Sequence, residues 1–148
     1  MVDILHRVGV EGATPETVYD ALTTVEGLAG WWTRDTTGDG RPGEVLEFRF
    51  PPLGGFDVEV VSATPAKEVS WRVVDGPPEW IGTTMDWELT QVGEETVVLF
   101  GHRGWAEPVE FMHHCSTKWA TFLMSLKAYV ETGTGTPAPR DVSVSSWH

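Results

Sequence analysis

Two places in this chain carry residue types that can do chemistry. His113, His114 and Cys115 stand in a row at the head of HHCSTKWATFLMSLKAYV, and Cys115 is the only cysteine. His102 closes TVVLFGHRG, a run in which Val98, Phe100 and His102 share one face with Thr96. Consecutive helical residues diverge by about 100°, so the HHC triplet cannot converge on one ion as an i, i+4 pair would. No second cysteine or HxxxH spacing supplies the missing ligands, and no metal or other cofactor is expected. A nucleophilic Cys115 needs a histidine to lower its pKa and a group to orient that histidine. The sequence supplies no orienting group, so a buried, inert thiol is the simpler reading.

No catalytic residue is assigned outright; the candidate is His102. By parity it points inward, toward Trp105 and the start of the following helix. There it could fix a ligand carbonyl or act as a general base. The plainer alternative is a core histidine whose nitrogens are satisfied internally. Thr83, Arg103 and Tyr129 are further polar candidates.

The segments that position these residues read clearly. Residues 4–11 form a strand. In ATPETVYDALTTVEGLAGWW, Thr14 is a helix N-cap, Pro15 takes the first helical position and Glu16 sits in the first turn. Val18, Ala21, Leu22 and Val25 make its apolar face, and Gly27 with Gly30 is expected to break it into two short helices. Five alternating runs follow: EVLEFRF, FDVEVVSA, EVSWRVVDG, TTMDWELTQ and TVVLFGHRG. The inward sides carry Phe48, Phe56, Trp71, Met85, Trp87 and Phe100. Asp57, Glu59, Asp86 and Glu88 point outward as a solvated face. Short turn-rich connections make this an antiparallel meander, wet on one side.

The opening stretch then shows helical period. Met112, Cys115, Trp119, Phe122, Leu123, Leu126, Tyr129 and Val130 recur at steps of three and four. With Pro108 in the first turn and Gly133 as C-cap, the helix spans about 25 residues, or about 37 Å. Lys118 and Ser125 fall on its polar face. A half-apolar sheet and a long amphipathic helix bury their faces by lying across each other. Residues 1–132 are therefore expected as one domain and 133–148 as a tail, whose Val142, Val144 and Trp147 suggest docking on this chain or on a second copy.

Composition removes several classes of function. The net charge of −12, with ten scattered Lys and Arg, argues against nucleic acid and against an anionic membrane surface. No stretch has the roughly 20 apolar residues that span a bilayer. The N-terminus lacks the unbroken apolar segment of a signal peptide, so the cytoplasm is the expected compartment. Eight tryptophans in 148 residues point to a roomy apolar interior with a few polar spots.

The order of elements, with EGATPETVYDALT, the WW pair, Gly104–Trp105 and CSTKWATFLMSLKAYVETGTGTP, resembles the helix-grip superfamily (START or birch-pollen-allergen-like, SRPBCC) over about residues 3–137. The branch it resembles contains proteins similar to the C-terminal domain of the activator of the heat-shock protein 90 ATPase. The resemblance implies an α+β helix-grip fold. In it a curved antiparallel sheet of six or seven strands wraps a long C-terminal helix, with two short helices after the first strand. It also implies a cavity between sheet and helix for a small hydrophobic molecule, and no universal catalytic residue. The expected lining adds Trp31, Trp32, Trp80 and Trp105 from connecting segments to Phe48, Phe56, Trp71, Met85, Trp87, Phe100 and His102 of the sheet. From the long helix it adds Cys115, Trp119, Phe122, Leu123 and Leu126. Trp31 or Trp32, with Trp80, would gate the mouth. Two alternatives stand beside binding: a cyclase- or hydrolase-like enzyme using His102 as acid or base, and a stress-related co-chaperone-like interaction module. A homodimer is compatible with each.

Overall fold

A computed structural model describes residues 1–148. Ten elements follow one another: β1 (Val2–Glu11), α1 (Pro15–Thr23), α2 (Val25–Trp31), β2 (Asp35–Gly38), β3 (Val45–Arg49), β4 (Gly55–Thr64), β5 (Glu68–Asp75), β6 (Thr84–Val92), β7 (Glu95–Trp105) and α3 (Glu110–Thr132). The seven strands form one sheet in the order β1-β7-β6-β5-β4-β3-β2. Every pairing is antiparallel. Six of these strands are legible as alternating runs. β2 is not, because DTTG is short and polar; its ladder with Leu46–Arg49 of β3 forms it.

The two short helices divide at Thr24, and not at the glycines expected to break them. Thr24 is extended (φ −103°, ψ 143°), and its hydroxyl accepts from the Gly27 amide while donating to the Asp20 carbonyl. It thus caps both helices. Gly27 and Gly30 serve close packing instead. A Cβ on Gly27 would meet the Ala21 Cα at 2.7 Å, and one on Gly30 would run into the Tyr129 ring.

Helix α3 starts at Glu110, two residues after Pro108, and has no side-chain N-cap. It ends at Gly133, whose φ of 86° lies in the left-handed region that glycine adopts without penalty. Its inner face presses Trp119 against Trp32, Trp87 and Phe100, at centroid distances of 5.0, 6.0 and 4.4 Å. Its flank closes the free edge of β1: Lys127 Nζ donates to the Gly9 carbonyl, and the Glu11 amide donates to Glu131 at 2.8 Å. An uncovered strand edge is a template for aggregation, and α3 removes it.

The buried face of the sheet and the apolar faces of all three helices form one core. Outward carboxylates pair with arginines, as in Arg49–Asp57 at 2.7 Å and Arg103–Asp86 at 3.3 Å. Such exposed pairs contribute little to stability, so the aromatic interior holds the fold together.

Candidate functional site

Over most of its length the interior is filled. Trp31 stacks on Trp32 at 5.4 Å, and Trp32 on Trp71 at 5.8 Å, with 9° between planes in each pair. At one end the filling stops. There the β3–β4 loop (Phe50 to Gly55), Trp80 from the β5–β6 connection and the first half of α3 enclose a cavity of about 820 Å3, and the C-terminal segment closes its side. A cavity of this size suits a drug-sized molecule. Trp32, Phe50, Phe56, Trp80, Phe111, Trp119, Phe122 and Trp147 supply its aromatic walls, while His114, Lys118, Asp141 and His148 supply its polar rim.

Six of the expected lining residues meet here: Trp32, Phe56, Trp80, Cys115, Trp119 and Phe122. Trp31, Phe48, Trp71, Met85, Trp87, Phe100, His102, Trp105, Leu123 and Leu126 are buried in the packed core behind it. Sheet and helix interdigitate at these positions. Trp31 cannot gate the mouth, being sealed with its indole N–H on the Ala21 carbonyl at 2.8 Å. Trp80 is half-buried in the cavity wall.

His102 has no exposed surface, and both its nitrogens are spent. An indole N–H can only donate, so the 3.1 Å contact from Trp119 Nε1 makes His102 Nδ1 an acceptor and leaves the proton on Nε2. His102 Nε2–H then donates to Thr83 Oγ1 at 2.9 Å, and the Thr83 hydroxyl donates to the Trp80 carbonyl at 2.5 Å. Burial pushes the His102 pKa down to about 3. A neutral histidine with no free nitrogen positions Trp119 and the Trp80 connection, and it offers nothing to a substrate. Arg103 is drawn outward to Asp3 and Asp86, and Tyr129 packs on Gly30, so neither reaches the cavity.

The HHC triplet diverges: His113 is exposed, His114 meets the Ser145 hydroxyl at 2.6 Å, and Cys115 is buried. No group of three or more His, Cys, Asp or Glu is placed to hold a metal. Burial pushes the Cys115 thiol up to about 12, with the Trp80 indole acting the other way. That indole N–H lies by the sulfur without completing a hydrogen bond, and those of Trp71, Trp87 and Trp105 are also buried without an acceptor.

Several residues that line the cavity or anchor the tail beside it carry little signal in the sequence. Lys118 falls on the polar face of α3, yet its side chain is only 15% exposed because the C-terminal segment covers it. Ser125, on the same face, is buried; its hydroxyl donates to the Trp31 carbonyl at 2.7 Å and accepts from the Thr136 amide at 2.8 Å. Phe50 follows an alternating strand and extends its inward face, the one signal that pointed to it. The tail docks on its own domain. Ala138 pairs with the WW segment through the Trp32 carbonyl (2.8 Å) and the Arg34 amide (3.1 Å), and Trp147 packs on Phe111 and His114.

A curved seven-stranded antiparallel sheet gripping a long C-terminal helix, with an aromatic cavity at one end, defines an α+β helix-grip domain of the SRPBCC type. Residues 12–131 match the family described as activator of Hsp90 ATPase homolog 1-like protein, and the chain belongs to that family. The chain is 46% identical to a protein from Colwellia psychrerythraea described as an Aha1 dimer, covering 91% of this chain and all of that one, with a TM-score of 0.84. It also shares its fold with CalU16 from Micromonospora echinospora (20% identity, TM-score 0.72, 93% of this chain and 77% of that one). DynU16, from the dynemicin biosynthetic locus, has the same fold at 23% identity and a TM-score of 0.74, over 90% of this chain and 48% of that one. No curated protein matches the sequence. No helix is long and apolar enough to cross a membrane.

Proposed function

We propose that the protein binds a small hydrophobic or aromatic molecule in the cavity between the sheet and α3. The observation that carries this reading is the cavity of about 820 Å3 walled by eight aromatic side chains. Such walls contribute affinity through the apolar area they remove from water, on the order of 25 cal/mol per Å2 before the costs of association. Trp32, Phe56, Trp80, Cys115, Trp119 and Phe122 are the wall, and the Trp80 N–H is a donor in need of an acceptor. Catalysis through His102 is disfavoured because both ring nitrogens are occupied. The Colwellia relative's description as a dimer favours a second copy of this chain as its partner. The cytoplasm is the compartment we expect for it.

Native mass spectrometry of gently purified protein, paired with organic extraction, tests the reading. The expected result is a reproducible excess mass that extracts as one small molecule, on a chain of 16.3 kDa or on its dimer. Bare protein whose tryptophan emission also fails to respond to added naphthalene derivatives would overturn it.

A further inference from the structure

We propose that residues 139–148 are a displaceable strap over the cavity, with Asp141 holding the position on Lys118 that the carboxylate of an aromatic acid takes. This deepens the ligand-binding reading and rests on it.

Lys118 projects from α3 into the cavity rim with its ammonium 5.3 Å from the centre of the Phe122 ring. An ammonium has three donors, and the strap satisfies them: Asp141 Oδ2 at 2.6 Å, the Val142 carbonyl at 2.5 Å and a main-chain oxygen of His148 at 3.1 Å. None of these partners comes from the sheet or the helices. The Asp141 side chain is itself only 5% exposed and also meets His148 Nε2 at 3.2 Å. If the strap left, Lys118 would lose all three of these partners and its ammonium would face water at the mouth of an aromatic cavity. A ligand that brings an anion replaces the contact that Asp141 gives up, and a neutral one does not.

The chain up to Ala138 is stitched to the domain through backbone bonds to Trp32 and Arg34 and the Thr136–Ser125 bond. Beyond Ala138 the polar and aromatic contacts with the domain fall on one stretch of α3. Asp141, Val142 and His148 hold Lys118, the Ser145 hydroxyl meets His114, and the Trp147 ring lies 6.3 Å from that of Phe111. Release at Lys118 thus frees one continuous segment hinged at Ala138. Its two anchors are an aromatic ring and a carboxylate. An aromatic carboxylic acid offers the same pair in one molecule, with its ring in the cavity and its carboxylate on Lys118. The strap acts as a tethered competitor, and a tethered group has a high effective concentration. Removing its carboxylate should therefore strengthen binding of the free acid.

The test is calorimetric titration of the full chain and its D141N and K118M variants with 2-naphthoate and with neutral 2-naphthalenemethanol. Wild type should prefer the naphthoate. D141N should bind naphthoate about ten-fold tighter, the scale of one charge-assisted hydrogen bond, with the alcohol unchanged. K118M should lose the preference. Hydrogen exchange on wild type should show naphthoate, and not the alcohol, raising deuterium uptake over residues 140–148. Binding of both arenes with no gain in D141N, or with protection of the strap unchanged, would overturn the strap proposal and leave the cavity reading standing. The D141N titration and wild-type exchange decide between these outcomes even if K118M fails to fold. No arene binding by any variant would overturn both.

Discussion

Replacing His102 by glutamine should flatten the acid side of the stability profile. In the folded protein His102 stays neutral down to about pH 3, while in the unfolded chain it titrates near 6.5. Between those values the unfolded chain binds one proton that the folded chain refuses. The stability gained from a neutral His102 is thus complete above pH 6.5 and is lost as pH falls toward 3. The slope is about 1.4 kcal/mol per pH unit, so the fall from 6.5 to 5 removes about 2 kcal/mol. The whole interval is worth on the order of 4–5 kcal/mol, as an upper bound. At pH 7 H102Q is less stable than wild type by about 1–3 kcal/mol, because the Trp119 N–H loses its buried acceptor. Carboxylates contribute to both proteins alike. So does His114, whose pKa is lowered by burial and by the charges of Lys118 and His148. The difference between the two proteins therefore isolates His102. Urea unfolding followed by tryptophan emission at pH 7, 6 and 5 should show the gap narrowing by about 2 kcal/mol. A gap that stays constant would mean that His102 titrates alike in both states, and the donor assignment around its ring would be wrong.

Two further outcomes follow from buried groups. With its thiol pushed up to about 12, Cys115 should resist alkylation by iodoacetamide at pH 8 in the folded protein and react only on unfolding. Rapid modification under native conditions, read by mass, would contradict its burial. Ser125→Ala strips a partner from both the Trp31 carbonyl and the Thr136 amide. It should cost about 1–3 kcal/mol and speed proteolysis after residue 133. An unchanged cleavage pattern would show that Ser125 does not anchor the tail.

The sequence by itself determined most of the fold. Alternation in TTMDWELTQ and the three-and-four spacing from Cys115 to Leu126 record which residues touch water, and that pattern differs between strand and helix. Thr14, Pro15 and Gly133 marked helix ends because a hydroxyl caps the first amides, proline fits the first helical position and glycine adopts the left-handed C-cap without penalty. The same patterning showed that His102 faces inward and that the HHC triplet cannot converge. It could not tell a core aromatic from a cavity wall, since Trp71 and Trp119 carry the same signal. Interdigitation decides that: Trp71 meets Trp32 and Trp87, while Trp119 borders the space left at one end. Lys118 belongs to the polar face of α3 by every local rule. It becomes part of the cavity because residues 141, 142 and 148 fold back over it, a contact between segments more than twenty residues apart that no helical period encodes.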